Sequence, residues 1–145
     1  MRDLPRQLTA EELGELFEGR TRLVERLAET ENPLEHADEV IASLSEAEKI
    51  EALSAHPAIG GKKLSARSAA EQGVDADPAV LTELAYLNQV YEEKFGFHFV
   101  VFVAGRPKRE ILKVLGERIG NAREEELETG LRELVAIARD RWTRT

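Results

Sequence analysis

The chain has 145 residues, of which 42% are hydrophobic and 33% charged, and it contains no cysteine. These values are typical of one globular domain, and the lack of thiols excludes disulfides and cysteine-based zinc sites. The formal net charge of −8 argues against a nucleic-acid partner, which would need a basic surface. The longest apolar run, residues 97–104, is too short to cross a bilayer, and residues 1–7 lack a signal-peptide core. We therefore expect a single cytoplasmic domain over residues 1–145 without a membrane or nucleic-acid partner.

Four helices are predicted before residue 56. Thr9 with Glu12, and Ser45 with Glu48, have the spacing of capping boxes, in which two side chains satisfy the first N–H groups of a helix. A break is expected at Asn32-Pro33, because the residue before a proline is excluded from the helical conformation. The predicted helices extend from the first box to about residue 17, then over about 21–30 and 34–44, and from the second box to about 54.

A long helix is predicted from Pro78 to Phe95. Asp77 is a suitable N-cap, proline is favoured at the first helical position, and Gly96 is a suitable terminator. Its apolar residues recur at helical spacing, at Val80, Leu84, Leu87 and Tyr91.

The segment Phe97 to Val103 has strand propensity, but the chain offers no second strand to pair with it. We expect an extended, buried connector there. A helix over about residues 108–120 should follow, and Asn121 with Glu124 should cap a last helix that runs to about residue 142. The predicted fold class is all-α, a single-domain bundle of about seven to nine helices.

Arg141 interrupts the apolar stripe of the last helix, which is formed by Leu127, Leu131, Leu134 and Ala138. An arginine that faces a core needs an anionic partner from the protein or from a ligand. The alternative is an arginine near a fraying end whose head group reaches water. Asn88 and Arg118 lie near the inner faces of their own helices, where they could simply tie helices together.

The central segment from His56 to Gln72 is not predicted to be regular, because Pro57, Gly60 and Gly61 interrupt it. Loops held by a rigid scaffold often carry chemistry, so His56 is a candidate catalyst, although a structural histidine is the alternative. Ser68-x-x-Glu71 has capping-box spacing and could merely start a helix. The phosphate-loop and H-E-x-x-H patterns are absent, so we expect neither a phosphate loop nor a zinc site.

Taken in order, several pieces of the chain resemble the 2-oxo-4-hydroxy-4-carboxy-5-ureidoimidazoline (OHCU) decarboxylase family. They are His56-Pro57-x-Ile59-Gly60, Ser68-x-x-Glu71-Gln72-Gly73, Leu87-Asn88-x-x-Tyr91, Lys94-Phe95-Gly96-Phe97-x-Phe99, Gly105, Arg118-x-x-Asn121 and Ile137-x-x-x-Arg141. The resemblance extends from His56 to Trp142 and is looser before that. It implies an all-α bundle, usually a homodimer, that needs no cofactor or metal. The implied reaction is the last step in the conversion of urate to (S)-allantoin.

The resemblance also implies roles for residues. His56 matches the catalytic histidine, and Glu71 is expected to orient His56 or the substrate and is predicted to be catalytic with it. The predicted substrate contacts are Pro57, Ser68, Gln72, Phe99, Val101, Val103 and Arg141. Among these, the segment from Phe99 to Val103 is expected to bind the substrate ring through its backbone, and Arg141 to meet an anionic group.

The chain departs from the family pattern at two places. Ala58 stands where the family usually carries arginine or aspartate, and an expected aromatic residue is missing around residues 19–22. Two alternatives therefore stay open. One is a decarboxylase or lyase for a related ureido or oxo-acid. The other is a non-catalytic acidic interaction module, in which His56, Glu71 and Arg141 would not converge.

Overall fold

The computed structural model describes residues 3–58 and 77–144, and this part of the chain contains seven α-helices and no strand. The helices are α1 (Ala10–Phe17), α2 (Arg22–Ala28), α3 (Ala37–Ala42), α4 (Glu46–Ala55), α5 (Pro78–Phe95), α6 (Lys108–Ile119) and α7 (Arg123–Arg144). The all-α prediction is confirmed. None of the described helices is long and apolar enough to cross a membrane.

The predicted helix starts at Thr9, Ser45 and Asp77 are confirmed. The Thr9 hydroxyl accepts the Glu12 N–H at 3.1 Å, and the Glu12 carboxylate accepts the Thr9 N–H at 3.0 Å. The Ser45 box has the same reciprocal bonds. The Asp77 carboxylate accepts the N–H of Ala79 at 2.9 Å. Each start is therefore fixed by side chains that satisfy N–H groups the helix itself cannot pair.

The third helix begins at Ala37, not at Leu34 as the periodicity predicted. Asn32 has a left-handed backbone with φ 51°, and its carbonyl accepts the N–H groups of Glu35 and His36. These bonds close a turn over residues 32–36 in place of the first helical turn. Leu34 is nevertheless fully buried, so its apolar character reflects core packing and not helix formation.

The last helix also begins later than predicted, at Arg123, so Asn121 is not its N-cap. The Nδ2 of Asn121 instead donates a hydrogen bond to the buried carboxylate of Glu126 at 2.8 Å. The side chain that was predicted to cap the helix therefore forms a hydrogen bond to a buried carboxylate instead.

Helix α7 is the longest of the described helices, and it contacts α1, α3 and α4. Its predicted stripe is buried, at Leu127, Leu131, Leu134 and Ala138. Gly130 allows α4 to approach, since a Cβ there would lie 3.1 Å from a methyl group of the fully buried Leu53. Helices α5 and α6 pack against each other.

The segment Phe97 to Val103, which links α5 to α6, has no regular structure and is largely buried, as predicted. The rings of Phe97 and Phe99 join Tyr91 and Phe95 in an aromatic cluster, with centroids 4.6–6.1 Å apart. We call this segment the connector.

Two glycine substitutions test the packing of α7. Gly116 lies on the exposed side of α6, and a Cβ added there would meet no atom within 4 Å, so Gly116→Ala should stabilise the protein by about 0.5–1 kcal/mol through helix propensity. Gly130→Ala has the same propensity gain, but the added methyl group presses on Leu53, and overpacking costs about 1–3 kcal/mol. We expect a net loss of about 1 kcal/mol. Urea unfolding of both variants measures this difference, and equal stabilisation would show that Leu53 has room to move.

Candidate active site

His56 ends α4 and lies in the protein interior. Its backbone is extended (φ −78°, ψ 132°), its N–H donates to the Leu53 carbonyl at 3.2 Å, and the residue is 7% exposed. Pro57 follows, and a proline pushes the preceding residue out of the helical conformation. The sequence His56-Pro57 therefore stops the helix and leaves the imidazole buried.

A second histidine joins His56 to the connector. The Nδ1 of His98 lies 2.8 Å from the His56 carbonyl oxygen, and because a carbonyl only accepts, Nδ1 must carry the hydrogen. The other ring nitrogen lies 3.5 Å from the Glu92 carboxylate on α5. The end of α4 is thus held beside the connector, although His56 and His98 are 42 residues apart.

Arg141 is buried near the C-terminal end of α7, and the residue is 1% exposed. Its Nη1 lies 3.1 Å from a carboxylate oxygen of Glu18 and donates to the Leu16 carbonyl, also at 3.1 Å. The predicted inward orientation is confirmed, and the alternative of a water-exposed head group is wrong. The protein supplies an anionic partner for this cation from the end of α1.

The end of α1 also lies beside the end of α4. A Cβ on Gly19 would be only 3.1 Å from the Cβ of Ala55, the residue before His56. Glu18, the partner of Arg141, immediately precedes Gly19. The fold therefore brings His56 and Arg141 to the same end of the bundle through contacts between neighbouring residues.

Side chains from α6 and α7 and from the turn before α6 fix the backbone of the connector. Arg118 donates to the Val100 carbonyl at 2.8 Å, Glu133 accepts the Phe102 N–H at 3.3 Å, and Arg106 donates to the carbonyls of Phe102 and Val103.

Three of the predicted substrate contacts, Phe99, Val101 and Val103, lie in the connector and are buried. Within residues 3–58 and 77–144, the N–H groups of Val101 and Val103 make no hydrogen bond. They are therefore donors that the described part of the fold does not use.

Sequence reasoning missed the buried carboxylate of Glu126, which is 0% exposed. One of its oxygens accepts from the Tyr91 hydroxyl at 2.7 Å and from Nε of Arg118 at 2.8 Å, and the other accepts from Asn121. The guanidinium of Arg118 lies 4.6 Å from the centre of the Phe99 ring. The burial of Glu126 could have been inferred from its position on α7, because it lies one turn before Gly130 on the face that meets the core.

Three predicted site residues, Ser68, Glu71 and Gln72, lie outside the described residues. Pro57, which follows His56, is half-buried. In the part of the chain that is described, no group of three or more histidine, aspartate or glutamate side chains is placed to hold a metal ion.

The sequence matches the profile of the family described as OHCU decarboxylase over residues 2–143. The chain belongs to the OHCU decarboxylase family. It is 35% identical over 106 residues to the 2-oxo-4-hydroxy-4-carboxy-5-ureidoimidazoline decarboxylase of Xenopus laevis, covering 67% of this chain and 61% of that one. It is 31% identical over 138 residues to the uric acid degradation bifunctional protein of Bacillus sp. (strain TB-90), covering 87% of this chain.

The chain spans 27–30% of the length of the bifunctional uric acid degradation proteins that it matches. Its fold is similar to the crystal structure of an OHCU decarboxylase in the presence of (S)-allantoin, with a TM-score of 0.76 and 25% identity. That likeness covers 92% of this chain and 96% of the other. Membership of the OHCU decarboxylase family thus agrees with the resemblance carried by the sequence motifs.

The buried tyrosine of this network gives a pH-dependent prediction. Burial, and then the hydrogen bond to Glu126, raise the pKa of Tyr91 well above its usual value of 10.0. Above pH 10 the unfolded chain loses this proton and the folded chain retains it. Stability that is fully present below pH 10 should therefore fall as pH rises, by up to about 1.4 kcal/mol per pH unit.

The measurement is urea unfolding of the wild type and Tyr91→Phe between pH 8 and 11.5. The variant lacks this proton, so the stability advantage of the wild type should shrink above pH 10. Tyr86→Phe, at the exposed tyrosine of the same helix, is the control and should follow the wild type at every pH. An advantage over Tyr91→Phe that stays constant with pH would contradict the assignment.

Proposed function

We propose that the protein converts OHCU to (S)-allantoin and CO₂ without a cofactor, in the degradation of urate. Family membership and the structural likeness to an OHCU decarboxylase support this proposal. The observation that carries it is the position of His56. This histidine matches the family's catalytic residue, is buried at the end of α4, and is joined to the connector by the 2.8 Å contact with His98.

The reaction needs an acceptor for electrons and a source of protons. When the bond between C4 and the carboxylate breaks, CO₂ leaves and its electron pair stays on the ring, where the adjacent ring nitrogens and carbonyl groups can accept it. The 4-hydroxyl group then loses its proton and becomes a carbonyl while C5 takes up a proton, and the face on which C5 is protonated sets the S configuration. Because a carboxylate is converted to a neutral product, each turnover takes up one proton in total.

We assign to His56 the removal of the proton from the 4-hydroxyl group, because a neutral imidazole is a suitable general base near pH 7. Glu71 is proposed to orient His56 or the substrate. As CO₂ departs, the electron pair of the broken bond forms a double bond between C4 and C5, and the electron pair of the C5=N bond moves to the ring nitrogen, which takes up a proton. Loss of the hydroxyl proton to His56 then converts C4 to a carbonyl.

The remaining contacts hold the ring and its charge. The N–H groups of Val101 and Val103, which make no hydrogen bond to the described residues, are proposed to bind ring oxygens or nitrogens, with Phe99 beside them, and to stabilise negative charge as it develops. Arg141 is proposed to bind an anionic or carbonyl group of the substrate. Pro57, Ser68 and Gln72 are proposed to complete the substrate site.

From the same resemblance we propose that the chain forms one domain over residues 1–145 and acts as a homodimer in the cytoplasm.

Ala58 favours a second candidate substrate. It follows His56-Pro57 directly and is half-buried, and it lacks the charged group that the family usually places there. A related ureido or oxo-acid without a group to meet that charge is therefore the alternative substrate.

The proposed function is tested by circular dichroism at the absorption of allantoin during the oxidation of urate by urate oxidase, with hydroxyisourate hydrolase present. Addition of the protein should produce the (S)-allantoin signal rapidly. His56→Ala should lower kcat by at least about 100-fold, the usual contribution of a general base, while the helical spectrum is unchanged.

The matched control is His36→Ala, because His36 lies in the turn before α3 and its side chain bonds only to the Glu31 carbonyl in the described part of the chain. Its kcat should equal that of the wild type. Near-wild-type turnover by His56→Ala would remove His56 from the mechanism. No acceleration by the wild type would mean that the substrate differs, and Ala58→Arg would then be the first variant to assay.

A further inference from the structure

Glu18 occupies a backbone conformation that does not suit glutamate. It follows the last residue of α1 with φ 67° and ψ 31°, and its N–H and that of Gly19 both donate to the Gly14 carbonyl. Helices commonly end in this left-handed conformation, but glycine is the usual residue there because a Cβ is crowded against the backbone. Glutamate at this position makes the folded protein less stable than glycine would, so we expect its side chain to make a contact that is needed for function.

The side chain of Glu18 reaches the buried guanidinium of Arg141. Their closest oxygen and nitrogen are 3.1 Å apart, and the side chains are 11% and 0% exposed. The same nitrogen, Nη1, also donates to the Leu16 carbonyl at 3.1 Å. Two acceptors from the end of α1 therefore hold one nitrogen of a rigid, planar group.

Holding one nitrogen sets the direction in which the guanidinium can bind a partner. The group presents five N–H donors in one plane, and it recognises carboxylates and similar groups only when that plane is aligned with them. The Glu18 carboxylate also supplies a negative charge to a cation that has left water, which removes much of the cost of burying it.

We propose that Glu18 is a positioning residue for substrate binding: it fixes the plane of Arg141 so that this arginine meets the anionic or carbonyl group of the substrate. This inference rests on the proposed function, which gives Arg141 that role. It adds the residue that follows α1 to a site whose other proposed residues all lie after residue 55.

Three variants separate positioning from stability. Glu18→Ala and Glu18→Gly both remove the carboxylate, but only glycine relieves the left-handed backbone, so Glu18→Gly should melt about 3–8 °C above Glu18→Ala. Glu18→Gln retains an acceptor oxygen for Arg141 and loses only the charge. The quantities to measure are the melting temperature and the kcat and KM for OHCU generated from urate, at a temperature where all variants are folded.

We expect KM to rise about tenfold in both Glu18→Ala and Glu18→Gly, with a smaller change in kcat, because about 1.4 kcal/mol of binding is lost in each. Glu18→Gln should keep KM within about threefold of the wild type, since one bond to a buried group is retained. KM should thus follow the acceptor at position 18 and not the melting temperature. Wild-type KM in all three folded variants, or KM values that follow the melting temperature, would overturn the proposal.

A second measurement does not depend on turnover. In ¹⁵N NMR spectra of the guanidinium groups, slow rotation of Arg141 should be seen in the wild type and in Glu18→Gln, and should be lost in Glu18→Ala. Unchanged rotation in Glu18→Ala would overturn the positioning role even in an active enzyme. If the wild type shows no OHCU turnover but the NMR signals change as expected, the proposed substrate fails and the hold of Glu18 on Arg141 stands.

Discussion

The placement of the connector depends on the buried carboxylate of Glu126. It joins three elements, since its hydrogen-bond partners come from α5 (Tyr91), α6 (Arg118) and the turn before α7 (Asn121). A carboxylate that is removed from water is costly unless its oxygens are satisfied, and here three donors satisfy them. A buried ion pair often adds little net stability compared with an apolar core. Its value here is that it fixes positions, because Arg118 also holds the connector.

The connector needs this support because, within the described residues, no neighbouring strand forms backbone hydrogen bonds with it. In a sheet, N–H groups bond to a neighbouring strand and are unavailable to a ligand. Here Arg118, Glu133 and Arg106 bind selected carbonyls and one N–H, and the ring of Phe99 packs beneath the guanidinium of Arg118. The segment is thereby fixed while the N–H groups of Val101 and Val103 are not used within the described residues. An extended segment held by side chains is thus suited to bind a flat, polar ring.

The features that could be predicted from the sequence are those set by residues close to each other along the chain. The capping boxes at Thr9 and Ser45, the break at Gly96 and the apolar stripe of α7 all follow from residues within one or two turns of each other. The pairing of Glu18 with Arg141 does not, because the two residues lie at opposite ends of the chain and periodicity gives no distance between helices. Glu126 was missed for a similar reason. It is one of three glutamates in the first turn of α7, where acidic side chains are normally solvated, and only the fold shows its contact with Tyr91. The catalytic role expected of His56 came from the family resemblance. Its contact with His98 could not be predicted, because the two residues are 42 positions apart.

Helix α7 links these separate contacts. Its 22 residues carry Glu126 in the first turn, Glu133 near the middle and Arg141 in the last turns. At 1.5 Å per residue, Glu126 and Arg141 are about 22 Å apart along one rigid axis. Because the same helix packs against α1 and α4, a shift of α7 would move the supports of the connector and the guanidinium together. Helix α7 therefore links the supports of the connector to Arg141 and, through Gly130 and Leu53, to α4, which His56 follows. Gly130 lies between the two buried ion pairs.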